Sequence, residues 1–307
     1  MRVLIPGMAG HVARRLALEL HEAGHQVVGI DPRPWADRPR GIPLYQLDLR
    51  KRAAEDVFRT VRPEVVIHLG TMSALSASGD ERYRINLGGT QAVFAHSQTY
   101  GAKQVIFVGR HTFYGAGPDT PLYHTEDEPP QALAHFPELS DLVAADLYAQ
   151  TALWRFPELC TTILRVCYTL GPSGHGTLAN FVRGKRVPTV MGFDPLFQFL
   201  HEDDAADAIV RAVEKRPRGV FNVAGPQPLP LSFVIREARR TALPIPEPLL
   251  AFVMGRRGLP TLPRGALEHI KYPIVIDASR FQAITGFKPH YDEIETIRAF
   301  THAFPGK

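Results

Sequence analysis

The sequence predicts an α/β protein, with a doubly wound parallel sheet followed by a smaller C-terminal domain. Three observations predict it. Short apolar, β-branched runs alternate with helical stretches through the first half of the chain. A glycine-rich turn joins the first run to the first helix. After Pro172 the alternation breaks down, and Pro and Gly become frequent. A chain of 307 residues can hold one large core, or a large core and a smaller companion.

The elements follow in order. Arg2 to Ile5 is the first strand, and Pro6-Gly7-Met8-Ala9-Gly10 is the turn. Val12, Leu16, Leu18 and Leu20 fall on a helix that ends near Gly24. His25 to Ile30 is the next strand, closing on Asp31. Strand, turn, helix and strand make one βαβ unit. Val65 to Leu69, Gln104 to Val108 and Thr161 to Arg165 continue the strands. Helices are expected over Asn86–Tyr100 and Asp141–Arg155. Such unbroken apolar strands suit a parallel sheet covered on both faces. The first domain is therefore placed at residues 1–170, with returning strands near 197–203 and 219–224. Residues 171–307 form mainly a lid or substrate domain, interleaved with it.

Composition excludes several classes of partner. The chain is 45% hydrophobic and 21% charged, with a formal charge of only +4 and no dense Lys/Arg run. That is no footprint for nucleic acid. Leu249 to Met254 is the most apolar late segment and is far too short to span a membrane. Two cysteines, Cys160 and Cys167, suit reduced thiols in a cytoplasm. The thirteen histidines show no paired metal-ligand spacing, so no metal is expected.

The glycine turn points to a cofactor. In Gly7-x-x-Gly10-x-x-Ala13, Gly7 permits the tight turn and Gly10 lets a pyrophosphate approach the backbone. Ala13 keeps the helix close to the sheet. Backbone N–H groups around Met8, Ala9 and His11 would face the phosphates at the helix N-terminus. The context that supports the motif is present: a strand before, a helix after, and Asp31 ending the next strand. A carboxylate there accepts the ribose hydroxyls and repels a 2′-phosphate, which favours NAD over NADP. Arg33, two residues on, is placed to hold a phosphate instead. Asp31 also has a plainer reading, as a turn acid at a strand end. Asp48-Leu49 is placed to meet the adenine edge. The fold class is thus Rossmann-type.

These residues resemble an extended short-chain dehydrogenase/reductase, the family that includes nucleotide-sugar epimerases and dehydratases. The resemblance spans nearly the whole chain. Val66-Ile67-His68-Leu69-Gly70 resembles the segment whose backbone lines the cofactor. Asn86-Leu87-Gly88-Gly89-Thr90 resembles the family's Asn-x-x-Gly-Thr helix start. Phe107-Val108-Gly109 through Phe113-Tyr114-Gly115 resembles its strand and loop ending in Val-Tyr-Gly. Leu164-Arg165 through Gly171-Pro172, and Phe199 through Asp204, match two later motifs. The resemblance implies that Leu69, Gly70, Asn86 and Val108 belong to the cofactor site. It also implies a homodimer formed by the helices at Asn86–Tyr100 and Asp141–Arg155.

The departures fall where chemistry belongs. No lysine of the chain has a tyrosine four residues before it, so the family's Tyr-x-x-x-Lys is missing. Glu138 and Leu142 occupy the places of its tyrosine and lysine, with Asp146 in place of a following Glu. Arg110 replaces the Ser or Thr that binds the substrate oxygen, and Tyr168 replaces an Asn. Phe197 replaces the Arg that grips a nucleotide-sugar diphosphate. The chain resembles subgroups that keep the cofactor fingerprint and lose the active site.

Three readings of function follow. The first is an NAD(H)-dependent oxidoreductase on a small molecule, with non-standard catalytic residues. Arg110 would then bind an oxyanion or carboxylate, and His111, Tyr114 and Tyr168 are the candidate proton donors. A purely structural ion pair is the competing role for Arg110. The second is a nucleotide-sugar epimerase or dehydratase, with carboxylates from the run around Glu126. The third is a non-catalytic NAD-binding sensor or scaffold. An open cleft among Tyr168, Phe193, Phe197, Leu249, Phe252 and Met254 would favour a small apolar ligand. Solid packing there would favour the third reading.

Overall fold

The computed structural model describes residues 1–72, 77–254 and 264–306, apart from the side chains of residues 251–253 and 264. Its centre is a seven-stranded sheet in which every pairing is parallel. The strands are β1 (Arg2–Pro6), β2 (Gln26–Ile30), β3 (Leu44–Tyr45), β4 (Val65–His68), β5 (Gln104–Arg110), β6 (Cys160–Val166) and β7 (Gly219–Val223). Their spatial order is β7-β6-β5-β4-β1-β2-β3. The order reverses between β1 and β4, where two crossovers leave in opposite directions and open a crevice at the carboxyl ends.

Both faces are covered, as the unbroken apolar strands require. Helix α1 (His11–Glu22) buries Ala13, Leu16, Ala17 and Leu20, a 3.6-residue stripe. It packs beside α5 (Glu202–Lys215), whose Ala205, Ala208, Ile209 and Ala212 join the same core. The opposite face is filled from α2 (Arg52–Val61), α3 (Gly89–Thr99) and α4 (Ser140–Arg155). Phe58, Phe94, Ala145, Ala149 and Ala152 meet Leu4, Val66 and Ile163 there.

Two expectations need correction. The helix expected from Asn86 begins earlier, at Gly79–Tyr83, where the Ser78 hydroxyl accepts the Glu81 N–H at 3.3 Å. A π-type turn over Arg84–Gly88 then leads into α3. The strand expected to rejoin the sheet near 197–203 does not enter it. Phe199–His201 pairs in parallel with Tyr168–Leu170, a short extension beyond β6, in a sheet of its own. A second apolar cluster explains this, since Phe197 and Phe199 are buried with Leu170, Phe181, Val234 and Phe300. Residues 219–223 do join the seven-stranded sheet, at its edge beside β6. Among the described residues, no helix is long and apolar enough to cross a membrane.

Candidate active site

The turn between β1 and α1 is built around backbone. Gly7 has φ +90°, and a Cβ on it would lie 2.5 Å from the Gly70 nitrogen at the end of β4. Only glycine allows this approach. Gly10 differs, because a Cβ there would meet only the Gly7 carbonyl, at 3.4 Å. The space beyond it is open. Gly10 supplies no side-chain cap to α1, so the first N–H groups of the helix keep their donors for a ligand. Met8 contributes backbone alone, since its side chain is buried against Gly29.

Asp31 sits at the end of β2, 2% exposed. It accepts the Ala9 N–H at 3.0 Å, which ties the turn to the second strand. Arg33 donates its own N–H and its guanidinium to the same carboxylate at 2.9–3.1 Å. The arginine side chain is 66% exposed and the acid only 2%. Asp48 is engaged by Arg50, which holds its carboxyl below the usual range. Leu49 lies against Gly70. An open cradle at Gly10, uncapped helix N–H groups and a fixed acid are what an adenine dinucleotide requires, and the residues present fit one.

His68 ends β4 and is fully buried. Burial lowers its pKa to about 4, so it is neutral. Thr90 donates its hydroxyl to the Asn86 carbonyl and therefore accepts from His68 Nε2, at 3.0 Å. His68 Nδ1 in turn accepts the Gly70 N–H at 3.3 Å. Asn86, expected at the cofactor, is engaged within the protein. Its side chain is spent on both backbone groups of Met72, at 2.6 and 2.9 Å, and on Asp141. It holds the loop after β4. Leu69 and Val108 are half-buried.

Arg110 ends β5, partly buried. It has no hydrogen bond or ion pair among the described residues, and burial lowers its pKa while Asp141 opposes that shift. Beside it is a cavity of about 20 Å³ bounded by Thr71, Gly109, Thr112, Leu142 and Asp146. That is room for about one water. Leu142, where the family lysine would reach in, forms part of its wall.

The three proton-donor candidates separate. Tyr114 is wholly buried, donates to Asn222 at 2.7 Å and accepts from Arg165 at 2.9 Å. Burial pushes it up to about 12, and it never reaches the crevice, so it is withdrawn as a donor. His111 is 1% exposed, and the Val166 backbone is the only polar group near its ring nitrogens among the described residues, beyond good hydrogen-bond geometry. Burial, then the neighbouring His269, lowers its pKa to about 3, so it stays neutral and is withdrawn as an acid. Tyr168 is half-buried, its ring edge-on to His111 at 4.3 Å. Burial raises its pKa, which keeps the phenol protonated.

The later aromatic residues pack on one another. Phe197 lies stacked between Tyr168 and Phe181, at 5.8 and 6.5 Å. Phe193 meets Tyr272, and Leu249 is 53% exposed. The Phe252 side chain lies outside the described residues. Burial pushes the Cys167 thiol up to about 12, leaving it inert. Sequence reasoning missed His175, whose ring lies 3.6 Å from that of His11. No signal in the sequence could have joined two histidines on such distant segments.

Comparison with known proteins agrees with this geometry. Residues 3–224 match the model of the NAD dependent epimerase/dehydratase family. An uncharacterized protein of Mycobacterium tuberculosis is 28% identical over 99% of this chain and 84% of its own length. A 3-diazoavenalumate denitrifying reductase from a Streptomyces species is 28% identical, over 83% of this chain and 86% of its own. The crystal structure of Thermus thermophilus UDP-glucose 4-epimerase in complex with NAD superposes with a TM-score of 0.79 at 21% identity. That match covers 100% of this chain and 99% of the other.

Proposed function

This chain belongs to the NAD-dependent epimerase/dehydratase family, and from that premise we propose that it binds NAD(H) and acts as an oxidoreductase on a small substrate bearing an oxyanion or carboxylate. The observation that carries the proposal is Arg110. It is a cation at the carboxyl end of a central strand, with no partner among the described residues, where ligands of such sheets bind. A guanidinium there neutralises negative charge on a substrate oxygen.

The backbone from Gly7 to His11 would hold the pyrophosphate, and Asp31 the adenosine ribose. Leu69, Gly70 and Val108 would line the rest. Asp31 favours NAD over NADP, and Arg33 is already committed to that acid. Bound there, the cofactor supplies or accepts a hydride. Tyr168 donates a hydrogen bond from a phenol that stays protonated. Reduction of a carbonyl here would take its hydride from the cofactor and its proton from solvent, with Tyr168 orienting the oxygen; epimerisation needs in addition a base that removes a proton from a hydroxyl. His111, lowered to about 3, is too weak a base, and Tyr168 does not ionise. Phe197 also fills the place of a diphosphate-binding arginine. The reductase among the relatives is consistent with this direction.

A second reading, a dinucleotide-binding protein without turnover, is favoured by the water-sized cavity beside Arg110 and by the packing of Phe197 against Tyr168 and Phe181. The separate apolar cluster around Phe181, Phe199, Val234 and Phe300 supports a substrate domain mainly at 171–307, interleaved with a cofactor domain at 1–170 that is rejoined by 219–224. Exposed Trp154 and Leu147 on α4 support a homodimer through that helix and α3. Two unpaired cysteines support a cytoplasmic setting.

Fluorescence titration with NADH and NADPH, wild type against Arg110→Ala, tests the proposal. NADH is expected to bind both proteins alike and NADPH weakly. A screen of small carboxylates and carbonyl compounds should then find turnover that Arg110→Ala lacks. Failure of wild type to bind either nucleotide would sink the proposal.

A further inference from the structure

His11 and His175 meet at the mouth of the phosphate cradle. His11 is the first residue of α1, directly after the uncapped Gly10. Its ring lies 3.6 Å from that of His175, tilted by 36°. His175 comes from the loop after Tyr168–Leu170, and that loop is firmly held. Glu202 accepts the Ser173 N–H at 3.0 Å and also the Ser173 hydroxyl. Arg183 donates to the Gly174 carbonyl. At Gly171 a Cβ would lie 2.7 Å from the Glu202 side chain, so the loop sits flush on the start of α5. His175 itself makes two contacts with Ser173. Its N–H donates to the Ser173 hydroxyl at 3.2 Å, and its Nδ1 meets the Ser173 carbonyl at 2.9 Å.

That last contact fixes the tautomer. A carbonyl only accepts, so Nδ1 carries the hydrogen and Nε2 is bare in the neutral ring. A bare nitrogen repels a phosphate oxygen. It can bind one only after taking a proton, when it becomes a charged donor. The charged groups that act on His11 are His175, Arg14, Arg33 and Glu202. Burial, the largest cause, and three of these four groups oppose a proton on His11 and lower its pKa. An arriving anion reverses that balance.

We propose that His11 and His175 form a clamp on the pyrophosphate of the dinucleotide, with His175 binding as imidazolium, so that cofactor binding takes up a proton from solvent. The clamp would couple the substrate-side loop to the cofactor across the crevice. The inference rests on the dinucleotide reading above.

Calorimetric titration at pH 7.5, in buffers of different ionisation enthalpy, counts the protons directly. The probes are NADH and ADP-ribose, which carries the pyrophosphate without the nicotinamide. Wild type is expected to take up a substantial fraction of a proton with either probe. His175→Gln keeps a polar side chain but cannot titrate, and it should take up none. Between pH 6.5 and 8.5, wild-type affinity for NADH should fall about tenfold, the size of one charge-assisted hydrogen bond, and that of His175→Gln less than about twofold. Normal NADH binding with no proton uptake would overturn the clamp and leave the cofactor proposal standing. Equal uptake in wild type and His175→Gln would overturn it as well. No binding of NADH to wild type would remove both.

Discussion

Two arginines lie almost side by side at the centre of this molecule and have opposite fates. Arg165 on β6 is paired in register with Gly109 on β5, and Arg110 is the next residue along. Arg165 is 1% exposed, and its guanidinium is committed. It donates to Asp146 at 3.0 and 3.3 Å and to the Tyr114 hydroxyl at 2.9 Å, and it lies 3.5 Å over the Phe113 ring. Gly109 makes the room, since a Cβ there would come within 2.9 Å of the Asp146 carboxylate. Arg110, one step further toward the crevice, has no such company among the described residues. A buried cation must be paired, so Arg165 belongs to the architecture. An unpaired cation at the carboxyl end of a central strand is what the proposed substrate site needs.

Breaking the paired arginine should give the largest effect. Asp146→Ala leaves the Arg165 charge buried without its partner and is expected to cost about 3–5 kcal/mol. Urea denaturation would measure it. A loss under about 1 kcal/mol would show that water reaches Arg165 and would blur the contrast with Arg110. Next is Gly7→Ala. Its Cβ would press on the Gly70 backbone at φ +90°, a strain of about 1–3 kcal/mol, and NADH binding should be lost with it. If this variant is as stable as wild type and binds NADH, the close approach of the turn to β4 is not required.

The buried histidines give a smaller effect that depends on pH. His68 and His111 are held neutral in the fold, near 4 and 3, against 6.5 for an unperturbed ring. Between pH 6.5 and 4 the unfolded chain therefore binds more protons than the folded one. Stability should fall as pH falls through that window, by up to about 1.4 kcal/mol per pH unit for each histidine. His68→Asn should flatten the curve. A wild-type curve level from pH 6.5 to 4.5 would mean that these rings are protonated in the fold.

The same contrast explains what was legible in the sequence. Gly7, Gly10 and Asp31 could be read because their spacing is local and set by backbone geometry that few residues satisfy. Arg165 and Asp146 were found as motif positions, but their pairing, 19 residues apart, needed the sheet to bring β6 against α4. The proton donors were misjudged for a related reason. His111 and Tyr114 lie in the short turn after β5, and nothing local says which side of it faces the crevice. Asn86 was assigned to the cofactor because the sequence shows its neighbours in the chain, and not Met72 and Asp141, which engage its side chain. His175 was missed because the loop that carries it is positioned by Glu202 and Arg183, both remote in sequence.

The smallest expected change in stability is the one that tests function. Arg110→Ala removes a charge that burial already disfavours and that no described residue pairs with. Its unfolding free energy should stay within about 0.5 kcal/mol of wild type, the range of substitutions that break no partnered group. Set beside Asp146→Ala, it asks whether two neighbouring arginines divide structure from recognition. A loss of several kcal/mol would mean that Arg110 holds the fold as Arg165 does, and its role as a substrate-binding cation would fall. Near-neutral stability together with lost turnover of a carboxylate substrate would assign that cation to the ligand alone.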